Sequence, residues 1–179
     1  VVVREADHGA GDHAGGPGVP TEDVTPAGVD VRTLVHEYGG ADFAVGDGVV
    51  YYADEVDQRL YRLDAAAVDA DPEPITPVPD TPQGLRYADL EIAGDGGALY
   101  AVREDHDAVG GGDDRDDADV DEPVTTLVVV PTDGSEPPRV VARGHDFYAA
   151  PRLSPDGDRL AWLTWDHPGM PWDGTELHV

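Results

Sequence analysis

The only two serines, Ser135 and Ser154, lie in Asp133-Gly134-Ser135 and Leu153-Ser154-Pro155-Asp156-Gly157, and neither stands in the G-x-S-x-G setting of an exposed nucleophile elbow. Both read as turn residues, the second in the Ser-Pro-Asp-Gly order that favours a type I turn. The chain has no Cys, which removes a thiolate nucleophile, a disulfide scaffold and a thiolate zinc site together. Attack by a serine activated through histidine and carboxylate therefore has no nucleophile in this sequence, and no catalytic residue is assigned.

Five side chains are instead candidates for facing a substrate or a neighbouring domain: His36, Glu37, Tyr38, Trp165 and His167. His36-Glu37-Tyr38 stands at an expected strand end just before Gly39-Gly40, where Glu37 could meet a substrate amine. The competing reading, given more weight, is a hydrogen-bonded corner that fixes the turn. Trp165, His167, Met170 and Trp172 either form a loop reaching toward a partner, because Trp and Met offer much contact area, or pack upon themselves, which again carries more weight. The acidic residues 113–122 invite a calcium reading in which Asp117, Asp119 and Asp121 alternate as ligands. No Gly follows at the sharp-turn position and no Glu closes a twelve-residue loop, so a solvated insertion is expected. His8 and His13, in a Gly-rich acidic stretch, lack the further ligands of a tetrahedral zinc site. No metal and no cofactor is expected.

The elements that must carry these residues show a period of two broken by turn signals, the pattern of antiparallel strands. The one helical candidate, residues 64–70, is too short and runs into Asp71-Pro72. A unit of strand, tight Asp-Gly turn and second strand occurs three times: around Gly46-Asp47-Gly48, Gly94-Asp95-Gly96-Gly97 and Ser154-Pro155-Asp156-Gly157. The second strands begin near residues 49, 98 and 159. A third strand follows each hairpin (59–64, 125–132, 175–179), and a fourth follows two of them (73–77, 139–144). Four antiparallel strands per unit at roughly 40 to 50 residues are the signature of propeller blades.

The expected fold is therefore all-β, a partial β-propeller of four-stranded antiparallel blades covering residues 1–179. Two full blades fall at about 41–77 and 87–144, and partial blades at 1–37 and 146–179, with residues 1–5 and 31–37 as the strands of the first. Flexible or disordered loops are expected at about 8–20 and 107–122. Thirteen strands fall short of a ring of four to eight blades, so the chain is expected to be a fragment of a larger propeller.

Charge restricts the partners. The 38 acidic residues comprise 10 Glu and 28 Asp, the 11 basic residues are all Arg, and the formal net charge is -27. Phosphate backbones and anionic membrane surfaces are recognised by Lys/Arg clusters, so neither nucleic acid nor membrane is an expected partner. No run of about 20 apolar residues occurs, no basic-then-apolar signal segment is read in these residues, and the expected compartment is the cytoplasm. The acids are scattered over every turn rather than held in one tail, which reads as adaptation to high salt. At molar salt the Debye length is roughly 3 Å and self-repulsion is relieved. The bland alternative is a moderately acidic protein whose genome prefers Arg and Asp.

Particular strings add to the periodicity: Val31-Arg32-Thr33-Leu34-Val35-His36-Glu37-Tyr38-Gly39-Gly40, Asp57-Gln58-Arg59-Leu60-Tyr61-Arg62, Leu85-Arg86-Tyr87-Ala88-Asp89, and residues 144–148 through 165–177, the last containing Trp165-Asp166-His167-Pro168-Gly169-Met170-Pro171-Trp172. Over about residues 19–179 the chain resembles the propeller region of the prolyl oligopeptidase family of serine peptidases. It is most similar to the bacterial and archaeal dipeptidyl aminopeptidase and acylaminoacyl-peptidase-like members. The resemblance implies a propeller that caps an α/β-hydrolase domain and admits short peptides, with the catalytic triad supplied by that domain, expected after residue 179. No position here matches those triad motifs. The expected function is the substrate-gating segment of a serine peptidase acting on short peptides, inactive alone. The competing class is a non-enzymatic propeller, similar to Tol-type or WD-repeat modules, that binds a protein partner.

Overall fold

The computed structural model describes residues 2–5, 21–67, 70–108 and 122–179. Its strands fall into four antiparallel sheets, each a meander in which neighbours in sequence pair in space. β1 (Val3–Glu5) pairs with β2 (Thr21–Asp23). β3 (Phe43–Gly46), β4 (Val49–Ala53), β5 (Leu60–Asp64) and β6 (Glu73–Pro74) form the second sheet. β7 (Leu85–Ile92), β8 (Ala98–Asp105), β9 (Val124–Pro131) and β10 (Arg139–Ala142) form the third, and β11 (Phe147–Leu153), β12 (Leu160–Trp165) and β13 (Glu176–His178) the fourth. No helix occurs among the described residues, and none is long and apolar enough to cross a membrane.

Turn chemistry sets the hairpins. Asp47 and Gly48 both have positive φ, 50° and 78°, so two residues join β3 to β4 in the turn whose twist suits antiparallel strands. Between β11 and β12 the Gly157 amide donates to the Ser154 carbonyl at 2.8 Å, and the Ser154 hydroxyl lies 2.5 Å from Asp156 Oδ1. The Arg159 amide donates to that same hydroxyl oxygen. The Ser135 amide likewise bonds Asp133 Oδ1 at 3.0 Å. Both serines hold turns.

Period-two alternation explains how the sheets stack. In β4, Val50 and Tyr52 leave one face and join Leu63, Val2, Val24 and Val31. Tyr51 and Ala53 leave the other and, with Leu60 of their own sheet and Ile75 just past its last strand, pack against Tyr87, Leu99, Ala101, Val128 and Val130 of the next sheet. The opposite face of that sheet gives Ala88, Val102 and Leu127 to Tyr148, Leu160 and Trp162. The two four-stranded sheets are thus covered on both faces, which is why their central strands read as nearly continuous apolar runs. The first strands β3, β7 and β11 lie side by side, as the inner strands of adjacent propeller blades do.

At that inner edge one carboxylate links three sheets. Asp89 sits in a bulge of β7, in the left-handed region at φ 55°. Its Oδ1 accepts the Ala41 amide at 2.9 Å and its Oδ2 the Ala150 amide at 2.8 Å. Ala150, at φ 51°, lies in the matching bulge of β11. The absence of a side chain at Gly40 lets the chains approach here: a Cβ would stand 3.0 Å from Asp89 Oδ1 and 3.1 Å from the Ala88 Cβ, and these neighbours would have to shift by a few tenths of an ångström.

Two expectations about the first partial blade are corrected. Residues 31–37 are not a strand: Val31 makes one isolated bridge to Asp54, and the chain then turns through residues 35–38. The partner of β1 is β2, at 21–23. Val31, Thr33 and Val35 do turn inward at every second position, but the amides of Thr33, Leu34 and His36 bond the side chains of Asp42, Gln58 and Glu104 instead of a ladder. Residues 8–20 and 109–121, with His8, His13, Asp117, Asp119 and Asp121, lie outside the described residues. Asp107, at the edge of the second expected loop, is anchored by the amides of Asp80 and Thr81 and by the Thr81 hydroxyl.

Tyr87 gives a pH prediction. Its hydroxyl is buried with no hydrogen-bond partner among the described residues, and burial first of all pushes its pKa up to about 12. Burial likewise lifts Tyr61 to about 12, helped by its hydrogen bond to Asp57. The unfolded chain releases these protons near pH 10, where the native chain still holds them, so stability falls as pH rises from about 10 to 12. Tyr87→Phe is expected to keep or raise stability at pH 7, by up to about 1 kcal/mol, since it deletes an unpaired buried hydroxyl. It should also soften the alkaline decline in urea unfolding at pH 8 and 11. A loss above about 2 kcal/mol at pH 7 would contradict this.

Candidate functional site

Residues 33–38 run across the ends of three sheets and are tied to each. The Thr33 amide donates to Asp42 Oδ1 at 2.8 Å, and the Leu34 amide to Gln58 Oε1 at 2.8 Å. Gln58 is fully buried, and its Nε2 donates to the carbonyls of Arg32, Asp54 and Glu55. From the third sheet, Arg86 Nη1 donates to the Leu34 carbonyl at 3.1 Å, and Glu104 Oε1 accepts the His36 amide at 2.6 Å. From the fourth, the Tyr148 carbonyl accepts His36 Nε2 at 3.2 Å. His36 and Glu37 hold φ of 56° and 62°, unfavourable for residues with a Cβ. The surrounding bonds determine that conformation.

All five residues singled out in the sequence fall at this end. The His36 ring lies 5.8 Å from that of Tyr38, 5.2 Å from Phe147 and 5.8 Å from Trp165. Phe147 stacks on Trp165 at 5.1 Å and meets His167 edge-on at 4.8 Å. Phe147 is thus the hub of a cluster holding His36, Trp165 and His167, with Tyr38 beside His36. His36 and Trp165 are buried, whereas Tyr38 is 70% exposed. Glu37 leaves the cluster: its carboxylate is 83% exposed and bonds Arg86 Nη1 at 2.8 Å. The His167 amide donates to Asp146 Oδ2 at 2.8 Å. Trp172 is 76% exposed in the 166–175 connection, with Met170 part of a turn closed by Asp173. His36 is the hydrogen-bonded corner, and Glu37 and Tyr38 are the groups presented to solvent.

The cluster also contains residues the sequence did not advertise. Glu104, at the end of β8, is 5% exposed and accepts from the His36 amide. Its Oε1 lies 3.2 Å from His36 Nδ1, at an angle too oblique for a directed hydrogen bond, and its Oε2 lies 3.2 Å from His106 Nε2. Since the Tyr148 carbonyl can only accept, His36 Nε2 carries a proton. Burial works to raise the Glu104 pKa, but the hydrogen bond from the His36 amide and the adjacent His36 and His106 rings outweigh it and hold the carboxyl below the usual glutamate range. The only hint in the sequence is an acid just after the apolar run Leu99-Tyr100-Ala101-Val102; its partner His36 lies 68 residues away.

An end face that presents Glu37, Arg86 and Tyr38 above a buried aromatic floor can hold a cationic or aromatic group by charge and contact. It offers no nucleophile. With the stacked meanders, this defines a segment of β-propeller fastened across its blades. The chain matches no protein-family model and no curated protein. It is similar to solved peptidases. A puromycin-hydrolysing peptidase of Mycobacterium tuberculosis shares 38% identity with a TM-score of 0.73, over 88% of this chain and 24% of that one. A puromycin hydrolase shares 36% identity with a TM-score of 0.72, over 89% and 24%. A serine-to-alanine variant of puromycin hydrolase in complex with PGG gives 36% and 0.72, over 88% and 24%. These matches place the chain with the propeller part of the prolyl oligopeptidase family of peptidases. It spans about a quarter of the length of the solved chains it matches.

Proposed function

We propose that the chain is the substrate-gating propeller segment of a serine peptidase that hydrolyses short peptides, working against an α/β-hydrolase domain that follows it. The observation that carries this reading is the 36–38% identity to puromycin-hydrolysing peptidases across nearly the whole chain. The propeller's share of the chemistry is to limit entry, orient the substrate and keep water from the reacting bond. Glu37 and Tyr38 are the side chains offered to substrate or to the domain interface, and Glu37 supplies a carboxylate for a peptide amine. Assay of this chain alone on short peptide p-nitroanilides and on puromycin should show no turnover. The same assay on the protein with its hydrolase domain should show turnover that a serine-directed inhibitor abolishes. Inhibitor-sensitive turnover by this chain alone would refute the division of labour.

The density of scattered acid supports a second element of the reading, a protein adapted to high salt. With net charge -27, unfolding followed by circular dichroism should show the strand signal and the melting temperature rising from low to molar KCl. An unchanged curve would defeat this element and leave the peptidase reading intact.

A further inference from the structure

We propose that His145, Glu176 and His178 form a binding site for a single divalent ion of the zinc class, clipping together the three strands of the last sheet. Glu176 and His178 are two apart in β13 and so leave the sheet on the same face. His145 stands just before β11, on the far side of β12, and its ring reaches over to within 5.2 Å of the His178 ring. One donor atom from each of the three residues lies within 4.8 Å of the other two, a convergence of His, Asp and Glu that no other group of three shows among the described residues. Donors bonded at 2.0 to 2.2 Å in a tetrahedron stand roughly 3.4 Å apart. The rotation needed is small, and Glu176, at 74% exposure, is free to make it.

The surroundings suit ligation. His145 Nδ1 lies 2.9 Å from Asp166 Oδ2. A carboxylate behind one imidazole nitrogen fixes the tautomer and offers the lone pair of the other, the arrangement that supports metal-binding histidines. The His178 ring is held flat against Trp162, with centroids 5.4 Å apart and planes 12° apart. Its Nε2 lies 2.8 Å from Thr164 Oγ1 and 3.8 Å from Glu176 Oε2; on binding, the hydroxyl gives up this contact to the ion. A groove of about 310 Å³, lined by Thr164, Asp166, Thr175 and Glu176 among others, adjoins the set and leaves room for a water as fourth ligand. Two imidazoles and one carboxylate select zinc, cobalt or copper over magnesium and calcium. That distinguishes this set from the many carboxylates of an acidic surface.

The test is titration of the full chain with cobalt(II) in molar KCl and excess Mg²⁺, followed by displacement with zinc. The expected result is saturation at one ion per chain, with the intense visible absorption of four-coordinate cobalt, and a melting temperature that climbs with zinc concentration. Glu176→Gln removes a ligand from an exposed position and should weaken binding at least tenfold with an unchanged circular dichroism spectrum. Asp166→Asn alters the group that positions His145 and also accepts the Asp146 amide, and should weaken binding about 10- to 100-fold. Binding that Mg²⁺ displaces, absence of saturable binding, or wild-type affinity in Glu176→Gln would each overturn the proposal. Because the Glu176 side chain is 74% exposed, the result does not depend on whether His178 variants fold.

Discussion

Glu104→Ala is expected to destabilise the chain by about 3–5 kcal/mol, from hydrogen bonds to a buried charged acceptor at about 1.5–3 kcal/mol each. Two groups lose their hydrogen-bond partner, the His36 amide and the His106 ring, and the His36 ring loses the carboxylate beside its Nδ1. His36 and Glu37 are held at positive φ by these bonds, so the turn at 35–38 should relax with them. Glu104→Gln keeps one acceptor oxygen and should lose about half as much. The acid limb separates the two cases. Because the native Glu104 pKa is lowered, its contribution is complete above the ordinary glutamate range and disappears as pH falls through the native value. Wild-type stability should therefore drop more steeply below about pH 4.3 than that of Glu104→Gln. Urea unfolding at pH 7 and pH 3.5 measures both effects, and a change below about 0.5 kcal/mol at pH 7 would show the set to be ornamental.

Asp89→Ala should cost about 2–4 kcal/mol, from two hydrogen bonds to a charged acceptor at about 1.5–3 kcal/mol each, discounted for the partial exposure of the inner edge. The loss is of sheet-to-sheet attachment, since Ala41 and Ala150 belong to the sheets on either side. Alanine also fits φ 55° less well than aspartate does. Asp89→Asn, which tolerates that conformation and keeps one acceptor, should recover at least a third of the loss. Hydrogen exchange at the Ala41 and Ala150 amides is the direct measurement. Unchanged protection of both in Asp89→Ala would refute the bridging role.

How far the sequence disclosed this arrangement depended on the range of the interaction. Hairpins were legible because Asp47-Gly48 and Pro155-Asp156-Gly157 state their turns within a few residues. Each second strand was legible because two-faced burial makes it a short apolar run. Residues 31–37 misled because their alternation is that of a strand, whereas their amides are claimed by Asp42, Gln58 and Glu104, from 9 to 68 positions away. β2 went unseen because three residues, Thr21–Asp23, carry no apolar pattern. His36 and Tyr38 stand in one stretch of sequence and Trp165 and His167 in another, and what joins the two is Phe147, which nothing in the local sequence marks as a hub. His145 and the Glu176, His178 pair come together only because β12 lies between β11 and β13.

The fastening of residues 33–38 has a consequence in time. During synthesis this stretch leaves the ribosome before any of the three sheets it secures, and His36 must wait for Tyr148, 112 positions later. Contacts of that sequence separation form slowly, so the latch closes last. The amides of Thr33, Leu34 and His36 have their acceptors Asp42, Gln58 and Glu104 by residue 104, so only the bond to the fourth sheet waits. A nascent chain that stalls before residue 148 has the second and third sheets tied together and the fourth not yet fastened to them.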